Sequence, residues 1–329
     1  MKNVNALVNA GRRITASRTL RTAAVLATIA ILAPGGIAIA QEEKKGVNTG
    51  NDPRDFSSKF MPYYRYTELE NGLTQHQLSI FGMWAITKNL ALTYETPISM
   101  ERDITGTDAC AGLPDVDCTG SVPGGGYLPN GLPAEGDGVE VGMGDSIIRL
   151  FGDFEWNFLG GAFLPGVQMT VPTATKDVLG TETMSGGPIA TFVWDFPLWP
   201  APGSFFAMMN IWEFDWWKEN GRDPVNRYLG RWFLQLPFNK KYKLYVMTEF
   251  QPIYDFETSD FSFWMAPEFG KAFAPSKGLF RNGGAIYIKP GIGVGNSANS
   301  GDRDWTLEVG FRAFFPAPAD TYGKMAGQR

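Results

Sequence analysis

One histidine and two cysteines stand in 329 residues, too few for most zinc-site, haem or Cys/His catalytic schemes. The composition therefore implies no metal, no cofactor and no catalytic residues. Charge is also scarce, at 19% of residues against 14% aromatic. A chain so aromatic and so sparsely charged does not suit disorder. A basic face is missing too. The five charges of residues 1–40, Lys2, Arg12, Arg13, Arg18 and Arg21, are all positive, and removing them from the net −5 leaves −10 on residues 41–329. Nucleic acid, which needs a basic stripe, is thereby excluded as a partner. Beyond residue 40 no run approaches the roughly 18 consecutive apolar residues of a membrane helix.

The first forty residues read as an address. A positive stretch is followed by the apolar residues 22–40, and Ala38-Ile39-Ala40 supplies the small residues at which a signal peptidase cuts. Pro34-Gly35-Gly36 interrupts the apolar run, against a permanent anchor. The expectation is a signal peptide over 1–40 cut before Gln41, then a periplasmic N-terminal segment over 41–57.

The rest of the chain alternates with a period of two. In 303–315, Trp305, Leu307, Val309, Phe311, Ala313 and Phe315 share one face, while Thr306, Glu308, Gly310 and Arg312 share the other. Twelve such runs fall at 58–68, 73–86, 90–101, 143–158, 161–172, 187–199, 203–217, 227–238, 242–255, 260–273, 283–295 and 303–315. Connections after the even runs are mostly short and those after the odd runs mostly long, except at 70–72 and 274–282. Even strand number, alternating connections and faces tipped with Trp212, Phe214 and Trp216 fit a membrane barrel better than a soluble sandwich. The expected fold is all-β, a transmembrane antiparallel up-and-down β-barrel of about 12 strands over 58–315, with a periplasmic tail over 316–329. Asn210 falls on the apolar face unless a bulge in 205–209 shifts the register.

Several short motifs recur in an order resembling an outer-membrane family labelled MetA-pathway of phenol degradation. They are Gly142-Met143-Gly144-Asp145 opening a strand, Val171-Pro172-Thr173 closing one with Gly180 soon after, Gly186-Gly187-Pro188 opening the next, and Val309-Gly310-Phe311 with Phe315 near the end. Ala174 departs from the family's glycine, and residues 316–329 run past the expected terminal aromatic. The resemblance implies a transporter-like barrel passing small, often aromatic, molecules, and its final strand resembles the signal read by barrel-assembly machinery.

By alternation the charged residues facing inward are Arg65, Glu95, Arg149, Asp153, Glu155, Asp195, Glu213, Asp215, Arg231, Glu249, Glu268, Lys289, Glu308 and Arg312. Nine acids against five bases predict a cation-preferring pore. Twelve tilted strands give a backbone radius of about 11–12 Å, a lumen for small solutes only. Opposite charges pairing across the lumen are the alternative, since unpaired buried charges cost several kcal/mol.

His76 is the one imidazole. A lipid-face hydrolase would need a serine on the same face, but two residues on stands Leu78, and Ser79 points to the other face. The chain therefore reads as a monomeric, passive, non-enzymatic channel of the bacterial outer membrane, in contact with its lipid, with a sealed structural or adhesive barrel and a lipid-face hydrolase as the competing readings.

Cys110 and Cys118 lie in the long connection 102–142, in a compartment that oxidises thiols. A disulfide there closes a short ring worth about 2.5 kcal/mol. Peptide mapping of protein purified without reductant should find the two joined, and two freely alkylated thiols would rule the bridge out.

Overall fold

A strand with one apolar and one polar face must still pair its backbone N–H and C=O groups along both edges wherever water is excluded. In the computed structural model the sheet meets that need by closing on itself. The structure describes residues 49–69, 74–87, 89–103, 139–153, 156–158, 161–176, 179–196, 198–199, 201–218, 224–239, 243–275, 278–280, 282–294 and 303–315. The expected signal peptide over 1–40, Cys110 and Cys118, Glu155 and residues 316–329 lie outside them.

The strands are β1 (Ser58–Leu69), β2 (Thr74–Thr87), β3 (Leu90–Asp103), β4 (Val139–Gly142), β5 (Ser146–Gly152), β6 (Trp156–Phe158) and β7 (Gly161–Val171). They continue as β8 (Thr183–Asp195), β9 (Phe205–Lys218), β10 (Asn226–Asn239), β11 (Leu244–Asp255), β12 (Phe261–Phe273), β13 (Gly284–Val294) and β14 (Arg303–Phe315). Sequential neighbours pair antiparallel, and β1 closes the ring against β14. β4 and β5 both lie along β3, and β5 and β6 both lie along β7, so these three are one interrupted stave. The barrel therefore has twelve staves, as the periodicity predicts.

Two strand starts are shifted most. The fourth stave begins at Val139 rather than 143, because residues 143–145 break the ladder and restart the alternation. The eighth strand begins at Thr183 rather than 187, so that Gly186-Gly187-Pro188, expected to open the strand, lies inside it. A Cβ on Gly187 would stand 1.9 Å from the Trp212 carbonyl oxygen. Glycine is there for close backbone approach, not for a bend.

The faces are inverted relative to a soluble protein. Trp84, Val167, Trp212, Phe214, Ile286 and Ile288 are exposed, while Ser79, Glu95, Arg149, Glu249, Glu268 and Arg312 are buried inside. Asn210 stays on the outer face with no bulge: β9 keeps continuous register with β10 from Phe205 to Phe214. Its amide is satisfied locally instead. Nδ2 donates to the Ala190 carbonyl at 3.1 Å, and Oδ1 accepts from the Tyr228 hydroxyl at 2.6 Å. A bulge does occur elsewhere, where Leu78 pairs with Ser99 but Ser79 with Pro97. The extra residue flips the parity of β3, leaving Ile98 exposed and turning Arg102 inward.

The described part of the N-terminal segment folds across the end of the barrel where β1 starts and β14 ends. Thr49 Oγ1 donates to Gln235 Oε1 at 2.6 Å, Asn51 Nδ2 to Glu268 Oε1 at 3.3 Å, and Arg54 pairs with Asp195 at 2.8 Å. Burial opposes the charge on Arg54, but hydrogen bonds and the charges of Asp52 and Asp195 outweigh it and raise the guanidinium pKa. Gly50 turns the chain at φ 76°, directly over the Phe314 ring, which a Cβ would meet at 2.5 Å.

Asp145 draws the sequence motifs together. Its fully buried carboxylate accepts from Ala174 N at 3.1 Å, Thr181 N at 2.6 Å and Thr181 Oγ1 at 2.8 Å. Thr173 Oγ1 donates to the Gly144 carbonyl at 3.0 Å. A Cβ on Gly180 would meet Asp145 Oδ1 at 2.7 Å. Hence Gly144-Asp145, Thr173 and Gly180 form one clasp between the interrupted stave and the 172–182 connection. Replacing Asp145 by Ala should cost about 3 kcal/mol, because three donors lose a charged acceptor. Urea unfolding in detergent checks this, and a loss below about 0.5 kcal/mol would show that the clasp is not structural.

Candidate functional site

Inward-facing charges on neighbouring strands are forced together by register, and in a narrow lumen each must find a partner or remain expensively desolvated. Arg65 on β1 stands opposite Glu308 on β14, with Nη2 and Nε both donating to Oε2, at 2.6 and 3.0 Å. The Tyr287 hydroxyl donates to the other oxygen of Glu308 at 2.9 Å. Arg312 and Glu268 form a two-pronged pair, Nη1 to Oε1 at 2.7 Å and Nη2 to Oε2 at 2.6 Å. The Tyr245 hydroxyl donates to Glu268 Oε1 at 2.8 Å, and the Arg312 guanidinium lies 4.3 Å from the centre of the Tyr287 ring. The two-pronged Arg312–Glu268 contact is the geometry that makes arginine suited to buried ion pairs.

Glu249 serves two bases at once. Arg231 Nε donates to Oε1 at 2.6 Å and Lys289 Nζ to Oε2 at 2.5 Å. Glu95 accepts from the Tyr63 hydroxyl at 2.5 Å, and Arg149 Nη1 reaches it only at 3.5 Å. Glu213 is paired separately with Arg227, at 3.0 and 2.9 Å, and takes hydroxyls from Thr170 and Ser185.

At the middle of this network lies a cavity of about 170 Å³. Arg65, Glu95, Arg149, Arg231, Glu249, Glu268, Lys289, Glu308 and Arg312 line it. Glu213 does not, and Asp153 sits at the break between β5 and β6, where its backbone N–H bonds the Asn89 carbonyl. Asp195 is exposed at its strand end, held by Arg54. Phe81, Met83, Phe151, Leu164, Met209 and Phe233 line it as well, and register sets them among the charges: Phe81 pairs with Glu95, Met209 with Arg231 and Phe233 with Glu249. The cavity lining is thus mixed, ionic and apolar side chains standing next to one another.

The charge balance differs from the nine acids and five bases that alternation predicts. With Lys59 and Asp52 of the chain entering β1 included, six bases and five acids line the cavity, a formal +1. Alternation reads which face a residue occupies but not its depth, so acids near strand ends inflate that count. It also passed over Lys59 and Arg227, which share the parity of Arg65 and Arg231 and were there to be found. Lys59 Nζ donates to the Gly50 and Asp55 carbonyls at 3.1 and 2.8 Å. The tyrosines Tyr63, Tyr245 and Tyr287, which join the acids into a network, carry no charge and so left no signal in a census of charges.

His76 lies on the outer face. Its Nδ1 shares a hydrogen bond of 2.5 Å with the Tyr64 hydroxyl, and Tyr66 packs edge-on to its ring. Across the strands it faces Tyr66 and Glu101, and Ser79 is buried inside, accepting from Gln77 Nε2 at 2.6 Å.

The Arg312 and Glu268 pair gives a direct test of the network. Glu268→Gln should cost about 3 kcal/mol by leaving a buried guanidinium without its counter-charge. Adding Arg312→Gln should restore part of that loss, with a coupling above about 1 kcal/mol in a double-mutant cycle of urea unfolding in detergent. Additive effects would mean the two charges are independently solvated.

No family model and no curated protein matches the sequence. Among solved structures, the chain is similar to an outer membrane channel from Pseudomonas putida F1, at 10% identity and a TM-score of 0.48, over 84% of this chain and 100% of that one. It is also similar to OmpT, an outer membrane protein of Vibrio cholerae, at 11% identity and a TM-score of 0.30, over 78% of this chain and 98% of that one.

Proposed function

We propose that this chain is a barrel of the bacterial outer membrane that lets small solutes through passively. The observation that carries the reading is the inversion of faces. Aromatic and branched apolar side chains cover the outside of a closed sheet, and ion pairs fill the inside. An apolar exterior on a sheet without edges belongs in lipid, and the N-terminal signal sequence supplies the route out of the cytoplasm. The mixed lining of the cavity, with Phe81, Phe151, Leu164 and Phe233 among the charges, suits solutes with an apolar body, in keeping with the resemblance to the phenol-degradation family.

Because most lumen charges are mutually paired, they hold one another rather than impose a strong field on passing ions. Planar-bilayer recordings should therefore show small conductance with weak ion selectivity, not the cation preference that an excess of acids would give. Liposome swelling should admit single-ring solutes and exclude those much larger than a disaccharide. Bilayers without conductance, together with liposomes that admit nothing, would favour the sealed structural barrel.

A further inference from the structure

Arg65, Arg231, Lys289 and Arg312 are held tightly by carboxylates, and Arg149 is held loosely. Its Nε donates to Gln168 Oε1 at 2.7 Å, its Nη1 reaches Glu95 only at 3.5 Å, and its Nη2 makes no hydrogen bond among the described residues. Glu95 is itself engaged by the Tyr63 hydroxyl. The guanidinium is nevertheless buried, at 4% exposure, and lines the cavity. A planar, desolvated cation with an idle pair of donors is the residue type that takes a carboxylate.

Two further buried groups point the same way. Thr93 stands directly across from Arg149 in the β3–β5 pairing. Its Oγ1 is buried without a hydrogen-bond partner among the described residues, and so is that of Thr191. Both residues line the same cavity. Buried hydroxyls are nearly always bonded, so two idle ones against one void call for a polar guest. The cavity's formal charge of +1, with Glu249 shared between Arg231 and Lys289, leaves room for one negative charge.

The rest of the guest follows from the wall around Arg149. Phe151 and Leu164 stand on the same and the neighbouring strand, and Phe81, Met83 and Met209 add further apolar lining. The volume of about 170 Å³ compares with a cavity of about 150 Å³ that admits benzene. We propose that the lumen holds a binding site for a single-ring aromatic carboxylate, its carboxylate on Arg149 and its ring against Phe151 and Leu164. This gives a substrate class to the channel reading and rests on it.

Calorimetric titration of the refolded full chain in an uncharged detergent tests the site, with benzoate, benzyl alcohol and benzylamine as probes. Benzoate should bind roughly tenfold more tightly than either of the others. Arg149→Gln should weaken benzoate roughly tenfold and leave benzyl alcohol unchanged, while Arg149→Lys keeps part of the preference. Each variant should still migrate faster unheated than boiled. Thr93→Val with Thr191→Val, which keeps shape and charge, should weaken benzoate several-fold and serves if Arg149→Gln does not fold. Equal binding of benzoate and benzyl alcohol, tighter binding of benzylamine, or benzoate affinity untouched by these changes would overturn the proposal. Binding in detergent needs no passage, and conductance in bilayers needs no benzoate, so either reading can fail while the other stands.

Discussion

The pairing of the first strand with the last governs everything else in this molecule. Ten residue pairs join β1 to β14, across more than 230 residues of chain, and without them two strand edges would be left unpaired. Closing so long a loop is entropically costly and slow. The seam is accordingly reinforced on both faces. Inside, Arg65 reaches across it to Glu308; outside, Trp305 Nε1 donates to Glu68. Phe314, the penultimate residue of β14, is capped by the turn at Gly50. The N-terminal segment therefore adds a third layer to the joint that keeps the ring shut.

Ring closure also explains why so many charges tolerate burial. Once the sheet is a cylinder, inward side chains from non-adjacent strands meet, as when Lys289 on β13 reaches Glu249 on β11. The desolvation cost of each charge is offset by partners that no single hairpin could provide. Tyrosines extend the effect by donating to the carboxylates that arginines already hold. The network and the closed sheet are thus mutually dependent: neither has its present energy without the other.

Much of this was legible in the sequence because period two survives locally. All twelve staves were visible, since apolar and polar faces alternate within each run. What stayed hidden depended on neighbours. The bulge opposite Leu78 and Ser79 inverts the end of β3, and nothing within β3 itself announces that Arg102 turns inward. Asn210 looked like a register error, yet its solution is a hydrogen bond from Tyr228 on the next strand. The idle hydroxyls of Thr93 and Thr191 could not be seen either, since a threonine in a strand is unremarkable until its partners are known.

The two kinds of side chain that line the cavity also differ in mechanical character. Arg65, Arg231, Lys289 and Arg312 are pinned by carboxylates, and tyrosine hydroxyls hold Glu95, Glu268 and Glu308. Met61, Met83, Met209 and Met247 supply long, unbranched thioethers of the kind that adapts to irregular gaps. The charged groups are stiff and the thioethers plastic. Such a chamber reads the charge of a guest strictly and its outline loosely, so molecules that share a head group but differ in ring substituents can use the same passage.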